Sequence, residues 1–236
     1  DGASGNNPWL YELPDPVSKV CWDNYVALPK SLAAKLGIAE DDTVNIEVNG
    51  VKLNNVPALI QPGQANNTVS LAVGFGRTHA GKVGGSVEKG FKSVGVNAFN
   101  FVNPTDRSYV IGDVKITKGD ETYHLAQTQT HHSIEGRDIV RESTFAAWQK
   151  NPKAGNDKAK THVYTIWEKR DYRKDGSPNH LWAMAIDLNA CTGCGSCVVS
   201  CSIENNVPVV GRDEIRLRRE MHWIRIDRYY SFANTH

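Results

Sequence analysis

The chain has 236 residues, room for one large or two smaller domains. Hydrophobic residues make up 40% and charged residues 22%, which argues against global disorder. The near-balance of 27 Lys and Arg against 26 Asp and Glu argues against a dedicated nucleic-acid binder, since such a protein shows a basic excess or stripe. No apolar run approaches the roughly 18–20 residues of a membrane helix. The opening Asp1-Gly-Ala-Ser-Gly-Asn-Asn7 has no methionine, basic n-region or apolar h-region, so no signal peptide is expected and the chain reads as a piece of a longer polypeptide.

The first hundred residues are expected to be β-rich. Pro29 to Gly37 predicts a short helix with Leu32 and Leu36 on one face and Gly37 as its C-cap. A hairpin follows: Val44, Ile46 and Val48 alternate, Asn49-Gly50 supplies the tight turn, and Val51 and Leu53 resume the alternation. Pro57 and Pro62-Gly63 are expected to bound the apolar stretch 58–60, before another alternating strand at Val69, Leu71 and Val73. Gly74 to Gly85 is too glycine-dense for regular structure. A second hairpin is expected from Val114 and Ile116 through a Lys118-Gly119-Asp120 turn to Tyr123 and Leu125. After residue 140 a short helix is predicted over 142–150, then an exposed polar loop at 151–161 and a second polar break at 174–178. Leu181 to Ile186 reads as a strand. These breaks divide the chain into 1–145, a connecting segment 146–178, and 179–236.

Cysteine placement is the most informative count. Cys21 stands alone, whereas Cys191, Cys194, Cys197 and Cys201 crowd into the run C-x2-C-x2-C-x3-C. A disulfide framework would spread cysteines along a small secreted chain, while four at short fixed spacings read as metal ligation. With this spacing three thiolates wrap one corner of a 4Fe–4S cubane, and the fourth, entering a following helix, serves a different cluster. Zinc is the competing reading, but a structural zinc site uses two CxxC-type knuckles separated by a loop, and no second knuckle is present. Cys191, Cys194 and Cys197 then lack a fourth partner, and Cys201 lacks three. The missing ligands are expected beyond His236 or on another subunit, and Cys21, between Val20 and Trp22, is read as a core residue.

Other candidates are weaker. Gly76 to Lys82 matches G-x4-G-K after a strand, yet Val83 replaces the magnesium-binding hydroxyl and Gly84-Gly85 spoils the following helix, so nucleotide hydrolysis is not expected. His131 and His132 are adjacent on a strand-like stretch, so at most one can face a given site; a structural or surface role is favoured. His222 lies in the alternating, strand-like run 221–228 and is read as satisfied or exposed. The basic run with Arg212, Arg216, Arg218 and Arg219 is read as a solvated or subunit-contact face.

From about Leu181 onward, Ala185-Ile-Asp-Leu-Asn-Ala-Cys191 through Cys201, then Glu204-Asn-Asn-Val-Pro-Val-Val-Gly211 and Arg219 to Tyr230, resembles the iron–sulfur subunits of molybdopterin oxidoreductases such as polysulfide reductase. In that family four such motifs build a chain of clusters, and only the first is present here. Ser202 departs from small bacterial ferredoxins, which carry proline there. The helix at 29–37, the stretch Gly37 to Val48, and Leu71-Ala-Val-Gly-Phe-Gly76 resemble the dinucleotide-binding barrel of the same oxidoreductases, of the double-psi type, over about residues 5–140. The resemblance thus implies a mixed α/β, β-rich fold: a double-psi β-barrel-like domain followed by the start of a ferredoxin-like domain.

The fused order resembles the B subunit of alternative complex III. That resemblance implies an electron-transfer subunit of a membrane quinol oxidoreductase, with 4Fe–4S clusters, no molybdopterin, and electrons passing to a cytochrome c-type acceptor. It implies as partners haem c and quinol-binding membrane subunits, with this chain peripheral and on the periplasmic side of a bacterial membrane. The alternative is a fused molybdopterin-dependent oxidoreductase with an active pterin.

Overall fold

A computed structural model describes residues 2–103, 105, 108–156, 164, 166–167, 171, 174, 176, 180 and 182–232. The chain forms two compact units, Asp1–His132 with Gly193–His236, and Ser133–Thr192.

In the larger unit Asn7 caps helix α1 (Pro8–Glu12) by accepting from the Trp9 and Leu10 amides, and Pro8 supplies a φ suited to the first turn. Strands β1 (Val20–Cys21) and β2 (Val26–Leu28) follow, then helix α2 (Lys30–Leu36). Gly37 ends α2 at φ 66°, as the sequence predicts. The predicted hairpin is β3 (Asp42–Val48) and β4 (Val51–Ile60), with Val48 opposite Val51 and both turn residues, Asn49 and Gly50, at positive φ.

Pro57 does not bound a separate stretch: β4 runs through it. Pro57 faces Thr43 of β3, and from Ala58 onward β4 pairs in parallel with β2 instead, so the proline stands where the strand changes partner. Val69 to Val73 contributes the short β5 (Ser70–Leu71), antiparallel to β2. The glycine-dense segment is not wholly irregular. It forms β6 (His79–Gly81) and β7 (Gly85–Ser86), a two-stranded pair.

The second predicted hairpin is a single strand, β8 (Lys115–Thr122), paired to β3. Lys118-Gly119-Asp120 is a bulge rather than a turn, since Asp42 lies opposite Thr122 and Val44 already opposite Lys118. Glycine is needed there because a Cβ on Gly119 would lie 2.6 Å from Asn55 Oδ1 and even closer to Thr43 Oγ1. Strand β9 (Ala126–Gln127) pairs with β1.

The main sheet has the order β5-β2-β4-β3-β8 and is open at β5 and β8; among the described residues it does not close into a barrel. Its core is Val26, Leu28, Val44, Ile46, Val48 and Val56 beneath Ala33 and Ile38. The fold is therefore mixed α/β and sheet-rich.

The smaller unit contains helix α3 (Phe145–Lys150), capped by Thr144, with the Phe145 and Trp148 rings stacked at 5.8 Å. Residues 182–186 form no strand, and Trp182, Met184 and Ile186 are exposed. Residues 157–161 of the predicted loop, 175, 177 and 178 of the second break, and Leu181 lie outside the described residues.

The chain after residue 193 returns to the larger unit and contributes helices α4 (Ser196–Glu204) and α5 (Arg212–Arg216) to it. Ile215 packs with Cys21 and Ala126, and Arg212 pairs with the carboxylate of Asp23 at 3.0 Å. The run 221–228 is not a strand, although burial still alternates along it. Its partners are side chains: Gln129, 2% exposed, donates to Arg228 O at 2.8 Å and accepts from Arg228 N at 2.9 Å, occupying the place of a neighbouring strand. No helix among the described residues is long and apolar enough to cross a membrane.

Candidate metal centre

Cys191 belongs to the smaller unit, where its amide donates to Asp187 O at 3.0 Å while the Asp187 carboxylate accepts from Asn189 N at 2.9 Å. This turn sets the start of the cysteine run. Cys194, Cys197 and Cys201 belong to the larger unit. Gly193 and Gly195, both at φ 74°, turn the chain on either side of Cys194 into α4. Cys197 and Cys201 are four residues apart on α4 and so share a face one turn apart, while Val198 and Ser202, also four apart, form the adjoining buried face about 100° round the helix.

All four cysteines carry unbridged thiols. Cys191, Cys194 and Cys197 are exposed and Cys201 is half-buried. Cys194 Sγ lies 3.3 Å from Ser196 Oγ, and the Asn205 amide donates to Cys201 O at 2.9 Å and approaches its sulfur at 3.6 Å. Among the described residues no three of His, Cys, Asp or Glu are gathered as a metal-holding group. The donor set nevertheless fits an iron–sulfur cluster in its chemistry: four unbridged thiols at short fixed spacings, separated by small residues, three of them exposed.

Cys21 is in the core. It is 2% exposed, its thiol donates to Glu12 O at 3.1 Å, and burial pushes its pKa well up. His131 and His132 are exposed, with rings 5.9 and 5.6 Å from those of Tyr229 and Tyr230. His222 is half-buried, and burial lowers its pKa. In the basic run Arg212 and Arg216 are half-buried against their own unit, whereas Arg218 and Arg219 are exposed. Arg212 reaches Asp23, Arg216 donates to His124 O at 2.7 Å, Arg218 donates to Gln127 O, and Arg219 pairs with Glu214 at 2.7 Å. In the glycine-dense loop the amides of Val83 and Gly84 both donate to Asn6 Oδ1, at 2.8 and 3.1 Å, so the protein itself occupies the donors a phosphate would need.

Sequence reasoning missed the underside of the cysteine segment. Glu12, 3% exposed, accepts from Trp22 Nε1, Val210 N and Gly211 N at 3.1, 3.0 and 2.8 Å, and Trp9 Nε1 donates to Val207 O at 3.3 Å. Helix α1 thereby holds the chain that leaves α4. A lone acidic residue among apolar neighbours was the only available signal.

Residues 182–202 match a family described as a 4Fe-4S binding domain, so 4Fe–4S clusters are the cofactor of this cysteine segment. Two curated proteins are similar to it. The B component of the tetrathionate reductase of Salmonella typhimurium is 61% identical over 36 residues, 15% of this chain and 14% of that protein. The menaquinone reductase iron-sulfur cluster-binding subunit of Nitratidesulfovibrio vulgaris is 62% identical over 26 residues, 11% of this chain and 10% of that protein. The chain thus spans only a small fraction of the length of these relatives.

Proposed function

We propose that this chain is the cluster-carrying electron-transfer part of a membrane quinol oxidoreductase of the alternative complex III type, passing electrons towards a cytochrome c-type acceptor. The observation that carries the reading is the cysteine segment: four thiols on a turn and on α4, in a stretch similar to the iron–sulfur subunits of two reductases. When bound, the clusters supply one-electron carriers whose potential depends on charge, hydrogen bonding to sulfur and solvent exposure.

Cys191, Cys194 and Cys197 hold one cluster, and Cys201 serves a neighbouring one. The C-x2-C-x2-C-x3-C spacing supports this division, with Cys201 one helical turn beyond Cys197 on α4. The remaining ligands come from further chain or from another subunit. The sheet-rich region, the relative of a double-psi barrel in this reading, is a scaffold without molybdopterin, and the engagement of the Val83 and Gly84 amides by Asn6 supports that role. The domains follow the division 1–145, 146–178 and 179–236. The partners are haem c and quinol-binding membrane subunits, with this chain peripheral on the periplasmic side.

The test is to compare Cys194→Ser with Cys201→Ser in the full-length complex by electron paramagnetic resonance. Loss of two different centres is expected. Loss of the same single centre in both variants contradicts the division of ligands, and stoichiometric pterin in the purified complex contradicts the scaffold role.

A further inference from the structure

The turn that carries Cys194 rests on the loop following α1. A Cβ on Gly195 would lie 3.0 Å from Leu13 Cδ1, and one on Gly193 would lie 3.2 Å from Pro16 Cβ, so both glycines press their bare α-carbons onto this loop. Leu13, Pro16, Gly195 and Val198, the last only 5% exposed, line one small pocket together with the charged Arg225 and Asp227.

The loop is stiff. Pro14 and Pro16 fix two φ angles, and Leu13 N donates to Trp9 O at 3.0 Å. Asp15 accepts from the Val17 and Ser18 amides at 3.0 and 2.8 Å through its side chain, while its backbone pairs with Lys19 and Val20. Glu12, the next residue back, holds the chain beyond α4. The segment 9–16 therefore grips the cysteine helix both before and after its ends.

We propose that Leu13 is a positioning residue of the iron–sulfur site: with Pro16 it forms an apolar floor under the Gly193–Gly195 turn that fixes Cys194 and keeps water from the inner side of the cluster it holds. This rests on the reading that Cys194 ligates a cluster. Reduction adds one negative charge, so water admitted at this face favours the reduced form and raises the potential. Leu13 thus holds that potential low and slows loss of iron.

The test uses the full-length, cluster-loaded protein with Leu13→Ala, the milder Leu13→Val, and the volume-conserving Leu13→Met. The readouts are the potential of the centre that Cys194→Ser abolishes and the rate at which a ferrous chelator removes its iron. Expected are an upward shift in potential and several-fold faster iron loss in Leu13→Ala, a smaller change of both in Leu13→Val, and near-parental behaviour in Leu13→Met. The centre served by Cys201 should keep its potential. Should Leu13→Ala not fold, the Leu13→Val and Leu13→Met pair decides by the same readouts. An unchanged potential and chelation rate in a fully loaded variant overturns the floor, and so does an equal shift of every centre. A parent protein that holds no four-iron centre overturns the underlying reading instead.

Discussion

Replacing Glu12 with alanine perturbs the joint between α1 and the chain that leaves α4. The carboxylate is 3% exposed and accepts from Trp22 Nε1, Val210 N and Gly211 N. A hydrogen bond to a charged group contributes about 1.5–3 kcal/mol. Three such bonds do not add in full, because Val210 and Gly211 are only half-buried and water replaces part of what they lose. Removing the carboxylate also relieves its own desolvation. The expected loss is about 3 kcal/mol, between one and two full charged bonds. Urea unfolding measures the total, and amide hydrogen exchange locates it, with Val210 and Gly211 losing protection while the Leu28 and Val56 amides keep theirs relative to global unfolding. A change within about 0.5 kcal/mol, the scale of ordinary surface substitutions, would refute the reasoning.

Gly119→Ala should destabilise by about 1–3 kcal/mol, because its methyl group must displace the Thr43 and Asn55 side chains from their bonds to Glu121; a neutral urea midpoint would show that the bulge has slack. In cluster-free protein a thiol alkylating agent should label Cys191, Cys194 and Cys197 promptly and spare Cys21, read by mass spectrometry; equal labelling of Cys21 would contradict its burial. Burial lowers the pKa of His222 below its ordinary 6.5, so the folded chain binds fewer protons than the unfolded one just below that pH. Its contribution to stability is full above pH 6.5 and falls as the pH drops towards the folded value. Unfolding midpoints at about pH 5.5 and 7.5 should therefore differ less in His222→Gln than in the parent, and an identical difference counts against this linkage.

The cysteine run was legible as a 4Fe–4S segment because its spacing is local in sequence, and residues 182–202 match a 4Fe-4S binding domain. The β3–β4 hairpin was legible for a similar reason, since Asn49-Gly50 demands positive φ at both positions. Composition misled where a residue answers to a distant neighbour. Lys118-Gly119-Asp120 has the composition of a turn, but its glycine serves the close approach of Thr43 and Asn55 within β8. Alternation along 221–228 gave the correct faces and the wrong partner, because a buried glutamine stands where a strand would be. Nothing local marks Leu13 and Pro16 as the floor beneath Gly193 and Gly195, since only the fold brings these segments together. The period-2 apolar pattern of 182–186 predicts a ladder, yet its side chains are exposed and no neighbouring strand pairs with it among the described residues.

The most direct measurement is a redox titration of the anaerobically purified full-length protein, followed by electron paramagnetic resonance, with iron and acid-labile sulfide determined on the same sample. Equimolar iron and sulfide are expected, with reversible one-electron signals of reduced four-iron clusters, one of which disappears in Cys194→Ser. Protein that carries zinc, contains no labile sulfide and gives no signal on reduction would contradict the assignment of this cysteine segment to electron transfer.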